Sequence, residues 1–427
     1  MGMVGRGLGG VALTAALPRP WMPRLQAAAA RVEGRSPDEA ASDEAYWLEV
    51  QQTFTVARDT AYLNTAGGSP SPRAVTEAVV RRTWEQEKLP SHALYTALKA
   101  GLETVRVGLA GLFGCDPEEV AVVRNATEAL QAVLLGVGLK RGDEVLTTTQ
   151  DYWAMLDALE QRQRREGIVV KRIRVPTAPR GPQDLASAFE QALSGRTRLI
   201  LVSHPVNLTG QHFPIRRICE VAHRRGIEVV VDGAQSFGQF PLRHADLGCD
   251  YLGASLQKWL MAPKSTGMLF VRREKIRRLW PLFPPPRGMD ADIRKFEQVG
   301  GRSYLPLAIA EAIAFQDAVG LERKAARLRY LTRHWVERLR NLPNVRFHTT
   351  FGEGFSGALG TAEVVGVDSG ALYDHLLQRH RILTFDVARR TNEFQGIRVS
   401  PGLHTTLDEL DRFCGVIEAV ARNGLPS

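Results

Sequence analysis

The stretch that decides the fold is Val229-Val-Val-Asp-Gly-Ala-Gln235, in which three apolar residues precede an aspartate. Such a run is typical of a strand buried on both faces, and it places Asp232 at the strand's carboxyl end. An ionised carboxylate there is costly unless a cation pairs with it. The motif therefore predicts either a structural salt bridge or a site for a cation such as a protonated pyridine nitrogen, with Gln235 placed to bond the same ring.

On both sides of this run, short apolar stretches alternate with longer helical ones. The predicted strands are residues 120–124, 144–149, 169–175, 199–203, 228–232, 251–254 and 267–271. Predicted helices between them include residues 126–136, 153–165, 182–193 and 215–225. Apolar strands separated by helices predict an α/β fold with a mostly parallel sheet covered on both faces. Ligands of such sheets bind at the carboxyl ends of the strands.

A second pattern begins after the proline-rich residues 281–286 and the pair Gly300-Gly301. A long helical region over about 305–340 precedes a mixed unit. Its predicted strands are 346–348, 361–367 and 396–400, and its predicted helices are 370–379 and 407–423. We therefore predict a large ligand-binding domain over residues 46–302 and a smaller α+β domain over residues 303–427.

The first 45 residues differ in composition from the rest. A weakly apolar run of small residues, 7–17, is followed by prolines, an alanine tract and a polar stretch. This pattern predicts either a secretory signal with a linker or a flexible N-terminal extension. The first alternative implies an exported or periplasmic protein and the second a cytoplasmic one.

Charge and cysteine content limit the other function classes. The chain has 55 Lys plus Arg and 46 Asp plus Glu, a net charge of +9. The basic residues lie in short pieces without interleaved aromatic residues, so nucleic-acid binding is not predicted, and an anionic cofactor and carboxylate substrates account better for the charge. The four cysteines share no CxxC spacing, which favours buried thiols over disulfides or a metal site. No apolar run reaches the length of a membrane span.

Two further constellations follow predicted strands. In Arg124-Asn-Ala-Thr-Glu-Ala-Leu130, a helix begins where a strand ends, so the motif is either a plain N-cap or an anion site to which Thr127 adds its hydroxyl. In Ser255-Leu-Gln-Lys-Trp-Leu-Met-Ala-Pro263, apolar neighbours favour a neutral Lys258 amine able to attack an aldehyde. Taken alone, this lysine would be assigned to the surface. Asp232, 26 residues earlier, supplies an anchor for the other end of a pyridine ring.

Together these motifs resemble the class V aminotransferase family of fold-type-I pyridoxal-phosphate (PLP) enzymes, in particular its isopenicillin N epimerase-like branch, which is related to the cysteine desulfurases. The resemblance runs from about residue 61 to residue 408. It rests on the order and spacing of Tyr62-Leu-Asn-Thr-Ala-Gly-Gly68, Asn125-Ala-Thr127, Asp232-Gly-Ala-Gln235, Gln257-Lys-Trp-Leu260 and Gly396-Ile-Arg-Val-Ser-Pro401.

The resemblance implies roles for individual residues. Lys258 matches the lysine that forms the Schiff base (internal aldimine) with PLP, and Asp232 matches the partner of the pyridine nitrogen. Gln235 and Asn207 match residues beside the phenolic oxygen, and Tyr152 the ring-stacking position. The phosphate cup is matched by Ala126, Thr127, Ser255 and Gln257. Arg398 matches the arginine that binds the substrate carboxylate.

Three departures from the family's pattern bear on function. Gln257 stands where histidine is usual, and it still donates to phosphate. Gly300-Gly-Arg302 replaces the Gly-Thr-Arg that in family dimers reaches the neighbour's phosphate, which leaves the Gly301 backbone N–H and makes Arg302 a candidate for substrate binding. The loop 386–395 lacks the reactive cysteine of desulfurases, and Cys414 falls in a helical pattern.

These features predict a homodimeric PLP enzyme, with a small amino-group substrate, no metal and no nucleic-acid partner. Transamination is the leading reaction. Epimerisation of an isopenicillin-N-like amino acid and β- or C–S lysis are the alternatives, and a PLP-binding homologue without turnover is the alternative from another class. The residues His92, Tyr95 and Trp153 are further candidates for the pocket wall.

Overall fold

The computed structural model describes residues 19, 21–91, 97–298, 303–352 and 354–426. The strands in chain order are β1 Ala61–Tyr62, β2 Val120–Val123, β3 Glu144–Thr148, β4 Val169–Ile173, β5 Thr197–Ser203, β6 Glu228–Asp232, β7 Tyr251–Ser255, β8 Gly267–Val271, β9 Val345–Phe347, β10 Gly360–Val364, β11 Ile382–Leu383, β12 Phe385–Asp386 and β13 Ile397–Val399.

The α-helices fall before, between and after these strands. They are Met22–Ala30, Pro37–Ala41, Glu44–Gln51, Arg73–Lys88, Ala97–Phe113, Ala126–Gly136, Trp153–Glu166, Pro182–Ala192, Ile215–His223, His244–Leu247, Arg273–Ile276, Ile309–Val319, Leu321–Leu339, Ser369–His380 and Leu407–Asn423. Short 3-10 turns occur at Pro117–Glu119, Ile293–Glu297, Leu305–Ala308 and Val387–Arg389.

The central sheet has seven strands in the order β2-β8-β7-β6-β5-β3-β4. All neighbours pair in parallel except those of β8, which runs antiparallel to both β2 and β7. The predicted mostly parallel sheet is thereby confirmed. Strand β6 and the helices Ala126–Gly136 and Leu407–Asn423 begin and end at the residues predicted from the sequence.

Both faces of the central sheet are covered by helices. Val229 and Val231 of β6 pack into a core shared with the helices Ala97–Phe113 and Pro182–Ala192. Val230, which points to the other face, packs with the helix Ala126–Gly136. Successive side chains of β6 thus point to opposite faces, and both faces are buried. The run at 229–231 therefore contains no polar residue.

The second unit is smaller and built differently. Its four strands are antiparallel in the order β12-β13-β10-β9, and they share a core with the helices Leu321–Leu339 and Leu407–Asn423. Strand β10 is shorter than predicted because the chain turns at Gly366, whose φ is +86°. A two-stranded parallel pair, β1 with β11, joins this unit to the start of the chain. The domain boundary at residues 302 and 303 stays a prediction.

The N-terminal helices differ from the expectation of a linker. Residues 1–18 and 20 lie outside the described residues, so the signal peptide stays a prediction. From Met22 to Gln51 the chain forms three helices, and the side chains of Leu25, Trp47 and Val50 are buried. They share a core with Phe315 and Leu328. In the described part of the chain, no helix is long and apolar enough to cross a membrane.

Candidate active site

Strand register brings the predicted chemical groups to one edge of the sheet. Ser203 at the end of β5 pairs with Asp232 at the end of β6, and Asp232 pairs with Gly253 of β7. Lys258 follows in the turn after β7. Because these strands are parallel and neighbouring, their carboxyl ends open into the same space.

That space is a cavity of about 300 Å³. It brings together ten of the twelve residues proposed from the sequence: Ala126, Thr127, Tyr152, Asn207, Asp232, Gln235, Ser255, Gln257, Lys258 and Arg398. Gly301 and Arg302, as well as His92 and Tyr95, lie outside the described residues. Trp153 is exposed beside the Tyr152 ring, at 5.5 Å between ring centroids.

Asp232 and Lys258 both lie on the cavity wall, and the charge of each affects the pKa of the other. Burial raises the pKa of the Asp232 carboxyl to about 6, while the charge of Lys258 works against that rise. Burial lowers the pKa of the Lys258 amine to about 8, with Asp232 opposing and Arg398 adding to the effect. Asp232 accepts a 3.0 Å hydrogen bond from the Ala234 N–H and forms no ion pair with any described residue. The structural salt bridge considered for Asp232 is therefore absent from the described residues.

The helix that begins at residue 126 has an N-cap and also leaves donors free that can bind an anion. Asn125 Oδ1 accepts from Glu128 N at 2.8 Å, and Ser255 Oγ accepts from Ala126 N at 3.0 Å. The Thr127 N–H is left without a partner in the described part of the chain and, with the Ser255 and Thr127 hydroxyls, can donate to an anion. A Cβ at Gly267 would lie 2.5 Å from the Asn125 Cα, so β8 can approach this turn only with glycine there.

Gln257 and Gln235 use part of their hydrogen-bonding capacity within the protein. The Gln257 Oε1 accepts a hydrogen bond from Ser265 N at 2.6 Å. The amide nitrogen of Gln257 is therefore the atom that can donate to a ligand. Gln235 donates to Ala66 O at 3.0 Å and accepts from the Trp259 indole at 2.8 Å. Gln235 therefore has one remaining N–H to offer a ligand.

Arg398 is buried, and two hydrogen bonds and an aromatic ring hold its guanidinium in place. Its Nη1 donates to Asn207 O at 2.8 Å and its Nη2 to Asn64 Oδ1 at 2.7 Å, while the guanidinium stacks on Phe385 at 4.4 Å. Its Nε and the Asn207 Oδ1 are buried without a hydrogen-bond partner among the described residues. Burial lowers the Arg398 pKa to about 10. A buried guanidinium with an unused donor fits a carboxylate ligand.

Three residues on or beside the wall were not singled out from the sequence. Asn64 accepts a hydrogen bond from Arg398. It lies in the motif 62–68, which was recognised in the sequence, but no role was predicted for Asn64 itself. Asp151 accepts from Ser203 N at 2.8 Å and from Ser203 Oγ at 2.6 Å, next to Tyr152. Arg390 also lines the cavity, but its place in a polar loop gave no signal.

The donor set of the cavity fits PLP. Asp232, which forms no ion pair with a described residue, suits a protonated ring nitrogen, and the helix start at Thr127 suits a phosphate. Lys258 suits an aldehyde, since its lowered pKa favours the neutral amine. Cys414, by contrast, is buried in the helix Leu407–Asn423 and burial raises the pKa of its thiol to about 12, so it takes no part in the cavity.

A sheet of this topology, with lysine, aspartate and a helix start at its strand ends, defines a PLP-dependent enzyme of fold type I. The aminotransferase class-V family model matches residues 61–413, and the chain belongs to that family.

The relatives of this chain include isopenicillin N epimerases and cysteine desulfurases. Isopenicillin N epimerase of Streptomyces clavuligerus is 30% identical over 88% of this chain and 98% of its own length. The isopenicillin N epimerase of Amycolatopsis lactamdurans is 32% identical over 88% of this chain and 99% of its own length. A probable cysteine desulfurase of Synechocystis is 27% identical over 84% of this chain and 91% of its own length. Among solved structures, the apo cysteine desulfurase of Thermococcus onnurineus superposes with a TM-score of 0.75 at 22% identity, covering 88% of this chain and 98% of that one.

Proposed function

We propose that this protein is an amino-acid epimerase that removes the α-proton of its substrate and returns a proton to the same carbon. The observation that carries the proposal is the similarity to two isopenicillin N epimerases over nearly their whole length. Transamination, which the motifs favoured, becomes the second candidate. The loop 386–395, which contains no cysteine, argues against desulfuration.

In this proposal Lys258 moves the α-proton. Burial lowers its pKa to about 8, so about a tenth of the free amine is neutral at pH 7 and about half of it at pH 8. Asp232 would hold the protonated ring nitrogen of PLP. When bound, PLP supplies an electron sink for the negative charge that develops at the α-carbon.

The substrate is oriented by its carboxylate. Arg398 binds that group with its free Nε edge, and Asn64 fixes the direction of the guanidinium. Thr127 and Gln257 would hold the phosphate of PLP, and Tyr152 would pack against its ring. A proton donor on the face opposite Lys258 is needed for inversion, and the hydroxyl of Tyr152 is our candidate for it.

Transamination remains the second candidate because of one observation. Among the described residues of the cavity wall, Lys258 is the one amine. A single lysine suffices to move a proton from the α-carbon to the cofactor's aldehyde carbon, whereas inversion requires the second donor.

The experiment is incubation of the holoenzyme in D2O with free α-amino acids and with a peptide-linked substrate of the isopenicillin N type. Deuterium at the α-carbon with inversion and without an oxo product supports epimerisation. An oxo acid together with the amino form of the cofactor selects transamination, and a β-elimination product selects lysis. Absence of any exchange contradicts the proposal. Lys258→Ala is expected to abolish the exchange, and Lys264→Ala, a neighbouring lysine that donates to Ser69 O, is the matched control.

We also propose that the enzyme is a homodimer, as in the family it belongs to. Sedimentation of the cofactor-loaded protein tests this. A monomer with full cofactor occupancy would contradict it.

A further inference from the structure

The charged groups on the cavity wall exceed what the proposed reaction uses. Among the described residues, four charged side chains line it: Asp232, Lys258, Arg390 and Arg398. In the proposed function, Asp232 and Lys258 serve the cofactor and Arg398 the substrate's α-carboxylate. Arg390 has no assignment, although it lines the same cavity.

Arg390 lies at the exposed edge of the cavity, against an aromatic ring. Its guanidinium carbon is 5.2 Å from the centroid of the Trp153 ring, and Trp153 is 43% exposed. Tyr152, at the cofactor end, contacts the same tryptophan at 5.5 Å. Trp153 thus contacts both Tyr152 and Arg390, the two residues beside it that line the cavity.

The acidic groups near Arg390 are paired with other arginines. Its neighbour Arg389 lies 3.5 Å from the Asp386 carboxylate and stacks on Tyr373 at 4.3 Å. Glu393 lies 3.3 Å from Arg174. No ion pair to Arg390 occurs within the residues that the structure describes. A guanidinium that is stacked on a ring keeps its in-plane N–H groups available for a bidentate carboxylate.

We propose that Arg390, stacked on Trp153, binds a second carboxylate at the far end of the substrate. This inference rests on the proposed function and sharpens it. The substrate class is α-amino acids that carry a distal acidic group. Arg398 binds the carboxylate at the reacting carbon, and Arg390 selects substrates by the length and charge of their side chain.

The test compares acids with their neutral amides. The holoenzyme is titrated with aspartate, glutamate and longer homologues, and with the corresponding ω-amides, and binding is measured from the change in cofactor absorbance. We expect the best acid to bind about five- to tenfold more tightly than its amide. Because Arg390 is exposed, this preference should weaken as salt is added.

Variants separate the two arginines of the loop. Arg390→Gln is expected to remove the preference for the acid and leave the affinity for neutral amino acids unchanged, and Arg390→Lys to keep part of the preference. Arg389→Gln, the matched control, keeps it. If neutral amino acids bind but Arg390→Gln leaves the acid preference intact, or if no acid is preferred, the inference is overturned alone. If no amino acid changes the absorbance, the proposed function fails and this inference with it.

Discussion

Arg398 donates a 2.7 Å hydrogen bond to Asn64, a residue 334 positions away in the chain. The bond joins β13 to the segment after β1, and it is one of two hydrogen bonds described for the guanidinium. Since Arg398 is buried without an acidic partner in the described part of the protein, its direction depends on Asn64 and the Asn207 carbonyl. Asn64 is therefore a positioning residue for the arginine that we assign to the substrate carboxylate.

Replacing Asn64 tests that dependence. Asn64→Ala should raise KM for α-amino acids by about tenfold with a smaller change in kcat, because a charge-assisted hydrogen bond that orients the guanidinium is lost. For the corresponding amino-acid amides, which lack the carboxylate, the effect should disappear. Asn344→Ala, which removes a side-chain bond to Ala421 O far from the cavity, serves as the control. An equal effect on amides would show that Asn64 acts on the fold in general.

The lowered pKa of Lys258 predicts how pH controls cofactor capture. In the cofactor-free protein the rate of PLP capture should rise with pH through about 8 and then level off, because only the neutral amine attacks the aldehyde. Asp232→Asn should move this midpoint to lower pH, since the Asp232 charge raises the Lys258 pKa. Stopped-flow absorbance measures the rate. A midpoint near the ordinary lysine value of 10.5 would contradict the prediction.

The Asp232 carboxyl should also make the cofactor-free protein sensitive to pH. Its pKa in the folded protein is raised from 3.8 to about 6, so its contribution to stability is present below pH 3.8 and is lost as pH rises through 6. Asp232→Asn cannot ionise, and the free energy of unfolding of the variant relative to wild type should increase across that window, by about 1–3 kcal/mol at pH 7. Urea unfolding at several pH values measures it. A difference that does not change with pH would contradict the cause given.

Asp151 should matter more for stability than any exposed aspartate. Its carboxylate accepts hydrogen bonds from three hydroxyls and two backbone N–H groups, provided by Thr147, Thr148 and Ser203. Asp151→Asn turns one acceptor into a donor that faces other donors, and the free energy of unfolding should fall by about 2–4 kcal/mol. Asp184→Asn, at an exposed helix start, should change it by less than about 0.5 kcal/mol. Equal losses in the two variants would refute the argument.

Cys414 should be dispensable for catalysis. The thiol is buried and its pKa is raised to about 12, so it provides almost no thiolate at neutral pH. Cys414→Ala should retain the activity of the wild type, and incubation with cysteine should leave no persulfide on the protein. Mass spectrometry of the intact protein detects such an adduct. A persulfide on Cys414 would reopen the desulfurase assignment.

The sequence predicted which of the residues proposed for the cofactor lie at one edge of the sheet, for local reasons. Asp232, Lys258 and Thr127 each follow a short apolar strand, and the end of a strand can be located from the apolar run itself. Parallel pairing then places such ends side by side. The contacts of Asn64 with Arg398 could not be predicted because they join distant segments that share no local pattern.

The N-terminal helices were missed for a different reason. Their small and polar residues imitate a linker, and the apolar side chains of Leu25, Trp47 and Val50 find their partners in Phe315 and Leu328, far along the chain. The capping box at Ser36, formed with Glu39, was a local signal for a helix start that the composition concealed.

The parallel pair between β1 and β11 has a consequence for synthesis. Residues 61 and 62 leave the ribosome early and find their strand partners at 382 and 383 only when most of the chain has been translated. A nascent or truncated chain that ends before β11 already carries Thr127, Asp232 and Lys258 but lacks Arg398. Translation thus delivers the residues that we assign to the cofactor before the arginine that we assign to the substrate carboxylate.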